Sequence, residues 1–262
     1  MTGPAAGDDA GIRFRPAVDG VALVTLGGAP SHALTRADCR ALGQVLDRVD
    51  ADTDVRCLVV TGTGRVFCAG ADLREERGLA ADELAGFLAG FAGTLDRLQD
   101  LRVPVVAAVN GAAVGGGLEL ALCCDVRIAA DEAFFVAAGV NVGLMASVWR
   151  LPRVVGLGPA TEMLLTGGRY TARQAAGWGL VTGVHPAADL LPAALTLARR
   201  IATRPPLSVE ATKAAAARAL ERDRSEATAL QHRALLQLVA TEDHAEAVQA
   251  FLDERDGVYR RR

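Results

Sequence analysis

Three apolar runs, GVALVTL (20–26), RCLVVTG (56–62) and VPVVAAVNG (103–111), set the frame for this chain. Each is rich in β-branched residues or alanine, the first is bounded by glycines and the other two end in turn residues, and none alternates polar with apolar. A strand with one wet face alternates, whereas a strand covered on both faces does not. A fourth segment, DVRIAA (125–130), has the same character. Helical spacing lies between them. TRADCRALGQVLDRVDAD (35–52) puts Leu42, Val45, Leu46 and Val49 on one face, and Thr35 with Asp38 forms an imperfect capping box at its start. AADELAGFLAGFAGTLDRLQDL (80–101) is a second amphipathic pattern. Buried strands alternating with helices place the chain in the α/β class.

Beyond about residue 145 the pattern changes. GPATEMLLTG and TARQAAGWGLV read as short helices between glycine turns. From Pro186 on, LSVEATKAAAARALERD and EATALQHRALLQLVATEDHAEAVQAFLDER carry helical periodicity and no strand signal. The expected organisation is a disordered tail over residues 1–11, a β/α core over 12–200, and a helical region over 201–262. The acidic, glycine- and alanine-rich start lacks the basic and apolar segments of a signal peptide. The uncharged run between Arg102 and Glu119 is 16 residues long and interrupted by proline and glycine, too short for a membrane span. A soluble, cytoplasmic protein is expected.

Composition narrows the partners. The net charge of −3 offers nucleic acid no general attraction, and 4% aromatics leave no basic and aromatic strip to stack bases. Lys213 is the only lysine, a bias read as genomic before functional. Five cysteines, Cys39, Cys57, Cys68, Cys123 and Cys124, are odd in number and show no C-x-x-C pair, which argues against a disulfide framework or a zinc knuckle. His32, His185, His232 and His244 show neither metal nor triad spacing, and no metal or cofactor is expected.

Two glycine turns carry the functional signal. NGAAVGGGLELALCC (110–124) follows a strand, opens a helix, and sets one acid, Glu119, in otherwise apolar sequence. The contiguous Gly115, Gly116 and Gly117 fit neither G-x-G-x-x-G nor a Walker A loop. They serve either to pack a helix tightly on a strand or to bring backbone N–H groups to an anion. GTGRVFCAGADLRE (62–75) repeats the arrangement of strand, small-residue turn and helix. Two such turns, each after a core strand, can aim one N–H apiece at one point, which is the design of an oxyanion hole.

Taken together, VRCLVVTGTGRVFCAGADL, PVVAAVNGAAVGGGLELALCCDVRIAA and LLTGGRYTARQAAGWGLV resemble, in order and spacing, the recurring blocks of the crotonase (enoyl-CoA hydratase/isomerase) superfamily, over roughly residues 12–255. The resemblance implies a spiral of β-β-α units with a helical C-terminal region that builds a homotrimer or a dimer of trimers. It implies an acyl-CoA substrate, with coenzyme A as part of that substrate and no separate cofactor. By the family pattern the backbone N–H groups of Ala71 and Gly116 hold a thioester oxygen as it gains enolate charge, and Glu119 orients water or moves a proton. Ala69, Gly70, Asp72 and Gly115 belong to the same turns. Arg65 and Arg74 stand where the family contacts CoA phosphates, and also read as solvated charges. Phe251 matches an aromatic that packs on CoA, although the basic position after it reads Glu254, with Arg255 beside it.

One position departs from the pattern. A second glutamate expected four residues beyond Phe135 is Gly139. Syn hydration wants one group on the water and one on the α-proton, so the absence leaves three routes open. Water replaces the side chain, another residue such as Asn141 or Asp72 serves, or the glycine makes room for a different acyl group and a different reaction. The implied activity is enoyl-CoA hydratase or isomerase. A decarboxylase, a thioester hydrolase and a catalytically weak acyl-CoA-binding protein stand as alternatives. His32 and Cys68 lie near these turns and are read as structural.

Overall fold

A computed structural model describes residues 11–28 and 31–262, and the expected tail falls almost wholly outside the described residues. The four apolar runs form the centre of a six-stranded sheet. Its strands are β1 (Ile12–Val18), β2 (Val21–Leu26), β3 (Cys57–Gly62), β5 (Val105–Val109), β7 (Val126–Ala130) and β10 (Val184–His185), in the order β1-β2-β3-β5-β7-β10. All neighbours are parallel except β1, a half-exposed edge strand antiparallel to β2. Val24, Val59 and Val106 are fully buried, as strands covered on both faces require.

A second sheet, invisible in the sequence, runs β4 (Val66–Cys68), β6 (Ala112–Val114), β8 (Phe134–Val136) and β9 (Arg169–Thr171). Three successive core strands each hand the chain to this small sheet: β3 to β4, β5 to β6, and β7 to β8. The chain therefore climbs as a spiral of β-β-α turns. Adjacent corners are stapled together by Asn110. Its Oδ1 accepts the Gly62 N–H at 2.8 Å, and its Nδ2 donates to the carbonyls of Gly64 and Val66 at 3.0 and 3.1 Å. This fixes β4 beside β6 and brings the two glycine turns that follow them side by side.

Helix α1 (Arg36–Ala51) begins at a complete capping box. Thr35 Oγ1 accepts the Asp38 N–H, and Asp38 Oδ2 accepts the Thr35 N–H. The box thus closes where the sequence suggested only part of it. Helix α2 (Leu73–Glu76) is a single turn capped by Asp72. Helix α3 (Ala81–Gln99) buries Phe87, Phe91, Leu95 and Leu98 and packs along α1. Helix α4 (Gly116–Cys123) is the central helix, with every residue after Gly116 buried. Helices α5 (Arg150–Val155), α6 (Leu157–Thr166) and α7 (Ala172–Gly177) follow, and α8 (Ala187–Ala202) covers the large sheet. Helix α9 (Pro206–Ala219) is tied back to the core by Lys213, which meets Asp125 Oδ2 and the Val103 carbonyl, each at 2.9 Å. The second helical run of the C-terminal region breaks at 239–241 into α10 (Arg224–Leu238) and α11 (Glu242–Leu252), where Thr241 caps α11.

Candidate active site

Both glycine turns sit at the C-terminal ends of neighbouring strands, and their backbones touch. Gly70 has φ +93°, and a Cβ placed on it would lie 2.6 Å from the Gly116 nitrogen. A Cβ on Gly116 would lie 3.0 Å from the Gly70 Cα and 2.5 Å from Phe91 Cζ. A Cβ on Gly117 would press into the Cys68 carbonyl group, 2.5 Å from its carbon. Close packing accounts for Gly116 and Gly117, while Gly115, at φ +54°, makes the turn that starts α4. The two readings of the triplet are therefore compatible: the packing is what brings the amides together.

The Ala71 amide is aimed by a short parallel bridge to Leu34. The Leu34 N–H donates to the Gly70 carbonyl at 2.7 Å, and the Asp72 N–H donates to the Leu34 carbonyl at 3.1 Å. Successive peptide groups on extended chain face opposite sides, so the Ala71 N–H points away from Leu34. On the other turn, the Gly115 N–H donates to the Val136 carbonyl at 2.9 Å, on the β8 side. Among the described residues, neither the Ala71 nor the Gly116 N–H donates to a protein acceptor. One N–H at a helix start and a second beside it thus lie unspent on abutting backbones.

Glu119 stands one turn into α4 and is 8% exposed. A carboxylate in such a place costs several kcal/mol unless it is paired. Its partner is Arg150, at the start of α5, whose Nη1 donates to Glu119 Oε2 at 3.1 Å. Arg150 also donates from Nη2 to Asp96 Oδ1 at 2.5 Å and from Nε to Gln99 Oε1 at 2.7 Å, both on α3. Burial pulls the Arg150 pKa down, and Cys123, Glu119 and Asp96 around it more than offset that, so it lies above the ordinary arginine value. The sequence reading missed this cluster. Arg150 is remote from Glu119 along the chain and follows no motif that points to it.

The structure narrows what could stand in for the missing second acid. Gly139 lies in a 3-10 turn (Ala138–Val142), and its Cβ direction is blocked. A Cβ there would stand 2.9 Å from the Leu144 carbonyl oxygen and 3.2 Å from the Ala146 nitrogen. The room expected beside Gly139 is thus filled by the backbone of 144–146. Asn141 donates from Nδ2 to the Gly167 carbonyl at 3.0 Å, and Asp72 Oδ1 accepts the Arg74 N–H at 2.8 Å. Both side chains are committed to local structure.

Of the remaining residues, Ala69 lies in the first turn, while Arg65, Arg74 and Phe251 are exposed. Ala69 donates its N–H to the Ser31 carbonyl at 3.2 Å. The Arg65 side chain is 86% exposed and pairs with Glu132 at 2.9 Å, while Arg74 is exposed on α2. Phe251 is 81% exposed on α11, outside the packed core. Arg255 is engaged by Glu246 at 2.7 Å, which holds the Glu246 carboxyl down at about 2. His32 is buried and its Nε2 meets Thr63 Oγ1 at 3.0 Å. Burial pushes the Cys68 thiol up to about 12, which leaves it a protonated filler rather than a nucleophile.

A β-β-α spiral of this kind is the architecture of the crotonase superfamily of acyl-CoA enzymes. The chain belongs to the enoyl-CoA hydratase/isomerase family, whose pattern it matches over residues 17–262. It is 39% identical to the 2,3-dehydroadipyl-CoA hydratase of Escherichia coli over 240 residues, covering 90% of this chain and 93% of that one. It is 36% identical to the crotonyl-CoA hydratase of Syntrophomonas wolfei over 228 residues, with 86% and 88% covered. The crystal structure of an enoyl-CoA hydratase from Bacillus anthracis superposes with a TM-score of 0.93 at 31% identity, covering 96% of this chain and all of that one. The protein is an enzyme of this family, and among the described residues no helix is long and apolar enough to cross a membrane.

Proposed function

We propose that the enzyme hydrates 2-enoyl-CoA thioesters through a thioester enolate, with the Ala71 and Gly116 amides as the oxyanion hole and Glu119 as its one carboxylate. The observation that carries this reading is the pair of unspent N–H groups on the touching backbones of Gly70 and Gly116. In the enolate the thioester oxygen gains charge, and each donor there is worth about 3 kcal/mol to the transition state. The first turn of α4 adds the positive end of its dipole. Glu119 Oε1 accepts no hydrogen bond among the described residues, which leaves it available to a water that adds to the β-carbon. With Gly139, Asn141 and Asp72 unsuited to acid–base work, the α-carbon proton comes from the same water, held by Glu119. Arg65 and Arg74 supply positive charge for the CoA phosphates, and Phe251 an apolar surface for the adenine.

The C-terminal helices expose Leu220, Leu235, Leu236, Val239 and Leu252, a face suited to trimer contacts. The reading is tested by following loss of the enoyl thioester absorbance with crotonyl-CoA and longer enoyl-CoAs. Glu119→Gln is expected to lower kcat by about 10²–10⁴. The absence of a second acid also suits enolate reactions that need one acid–base group or none. Wild-type turnover of malonyl-type thioesters with no hydration would replace hydration by such a reaction, and acyl-CoA binding without any turnover would leave only a binding protein.

A further inference from the structure

We propose that Arg150 is the positioning residue of the site, and that it selects which oxygen of Glu119 does the chemistry. The inference rests on the reading of Glu119 as the acid–base group. Each of the three guanidinium nitrogens of Arg150 is engaged: Nε by Gln99, Nη2 by Asp96 and Nη1 by Glu119. The guanidinium is a rigid plane. With Nε and Nη2 held by the last turns of α3, the position of Nη1 follows, and with it that of Glu119 Oε2. Oε1 then faces the reactants as the single free oxygen. The Arg150 and Glu119 side chains are 19% and 11% exposed, so the contact is shielded from the solvent that weakens surface pairs. Three separate elements, α3, α4 and α5, meet at this one group. Gly139 offers no second carboxylate to share the work, so the orientation of one carboxylate decides the rate.

The test is a double-mutant cycle on crotonyl-CoA hydration. Arg150→Gln is expected to lower kcat at least tenfold with KM within about twofold, because the acyl-CoA site is intact and only the carboxylate is loosened. Arg150→Lys keeps the charge and loses the fork, and falls between wild type and Arg150→Gln. In the Glu119→Gln background, Arg150→Gln is expected to cost nothing further, since its effect runs through Glu119. Losses that multiply in the double variant, or a change confined to KM, would overturn the proposal. Should Arg150→Gln fail to fold, Asp96→Asn decides. Asp96 is 62% exposed, and releasing it frees one arm of the clamp. A several-fold fall in kcat that vanishes in the Glu119→Gln background supports the assignment, and an unchanged kcat refutes it. Full activity of Glu119→Gln alone sinks the function proposed above. A dead Glu119→Gln beside a fully active Arg150→Gln sinks only the positioning role.

Discussion

Alanine at position 117 probes how far the site depends on the approach of its two turns. A methyl group there would stand 2.5 Å from the Cys68 carbonyl carbon and 3.0 Å from the Cys68 Cβ. Non-bonded carbons rest about 3.5–4 Å apart, so the end of β4 and the start of α4 must part by about 1 Å. Cys68 is fully buried, its carbonyl group is backbone, and β4 is locked to β6 through the Asn110 staple. No flexible side chain can absorb the change in so dense an interior. Gly116 moves with α4, and Ala71 with the turn after Cys68, so the spacing of the two amides shifts by a similar amount. A misplacement of about 1 Å costs on the order of a hundredfold in rate, while overpacking of this kind costs about 1–3 kcal/mol of stability. Gly117→Ala should therefore remain folded with a lowered Tm. Its kcat on crotonyl-CoA should fall about a hundredfold, with a smaller change in KM. Steady-state assays beside a thermal melt and near-ultraviolet circular dichroism measure both effects. A folded Gly117→Ala enzyme working within about threefold of wild type would refute the claim that amide spacing governs the reaction.

Two further substitutions exploit other glycines. Restoring the second acid by Gly139→Glu should not raise kcat and should lower Tm, because its Cβ meets the backbone of Leu144 and Ala146; a gain in hydration rate would show that the 144–146 segment yields easily. Gly93, exposed on α3 with nothing within 4 Å of its Cβ direction, is a helix-interior glycine with no packing role. Gly93→Ala should add about 1 kcal/mol and raise Tm by about 2–4 °C with kcat unchanged, and an unchanged or lowered Tm counts against that reading.

The legible parts of the fold were those with a repeated physical signal. Runs such as Cys57–Val60 and Val105–Val109 announce strands buried on both faces, because nothing polar interrupts them. Leu42, Val45, Leu46 and Val49 recur at helical spacing and so announce α1. Strands β4, β6 and β8 have three residues each, too few to show a period. The edge strand β1, with Arg13 and Arg15 among its residues, lacks the apolar run that marks the core strands. At the site, the two glycine turns showed in the residues themselves, because close approach restricts Gly70, Gly116 and Gly117, whereas Ala71 and Glu119 were named from the family resemblance. Arg150 could not, since an ion pair between two helices imposes no spacing on the chain. The surface positions Arg65, Arg74 and Phe251 were named by analogy alone, and their exposed side chains leave no packing signal in the sequence.

Ala71 and Gly116 present main-chain hydrogens, and no codon spells them. Any replacement at position 71 other than proline keeps its hydrogen, although a bulkier group could still tilt it. Mutation therefore reaches this pair mainly through shape, whereas the carboxylate between α3 and α5 can be lost by one nucleotide change. Descendants of such a chain can exchange their acids while these two main-chain hydrogens persist, which lets side chains drift much faster than the scaffold.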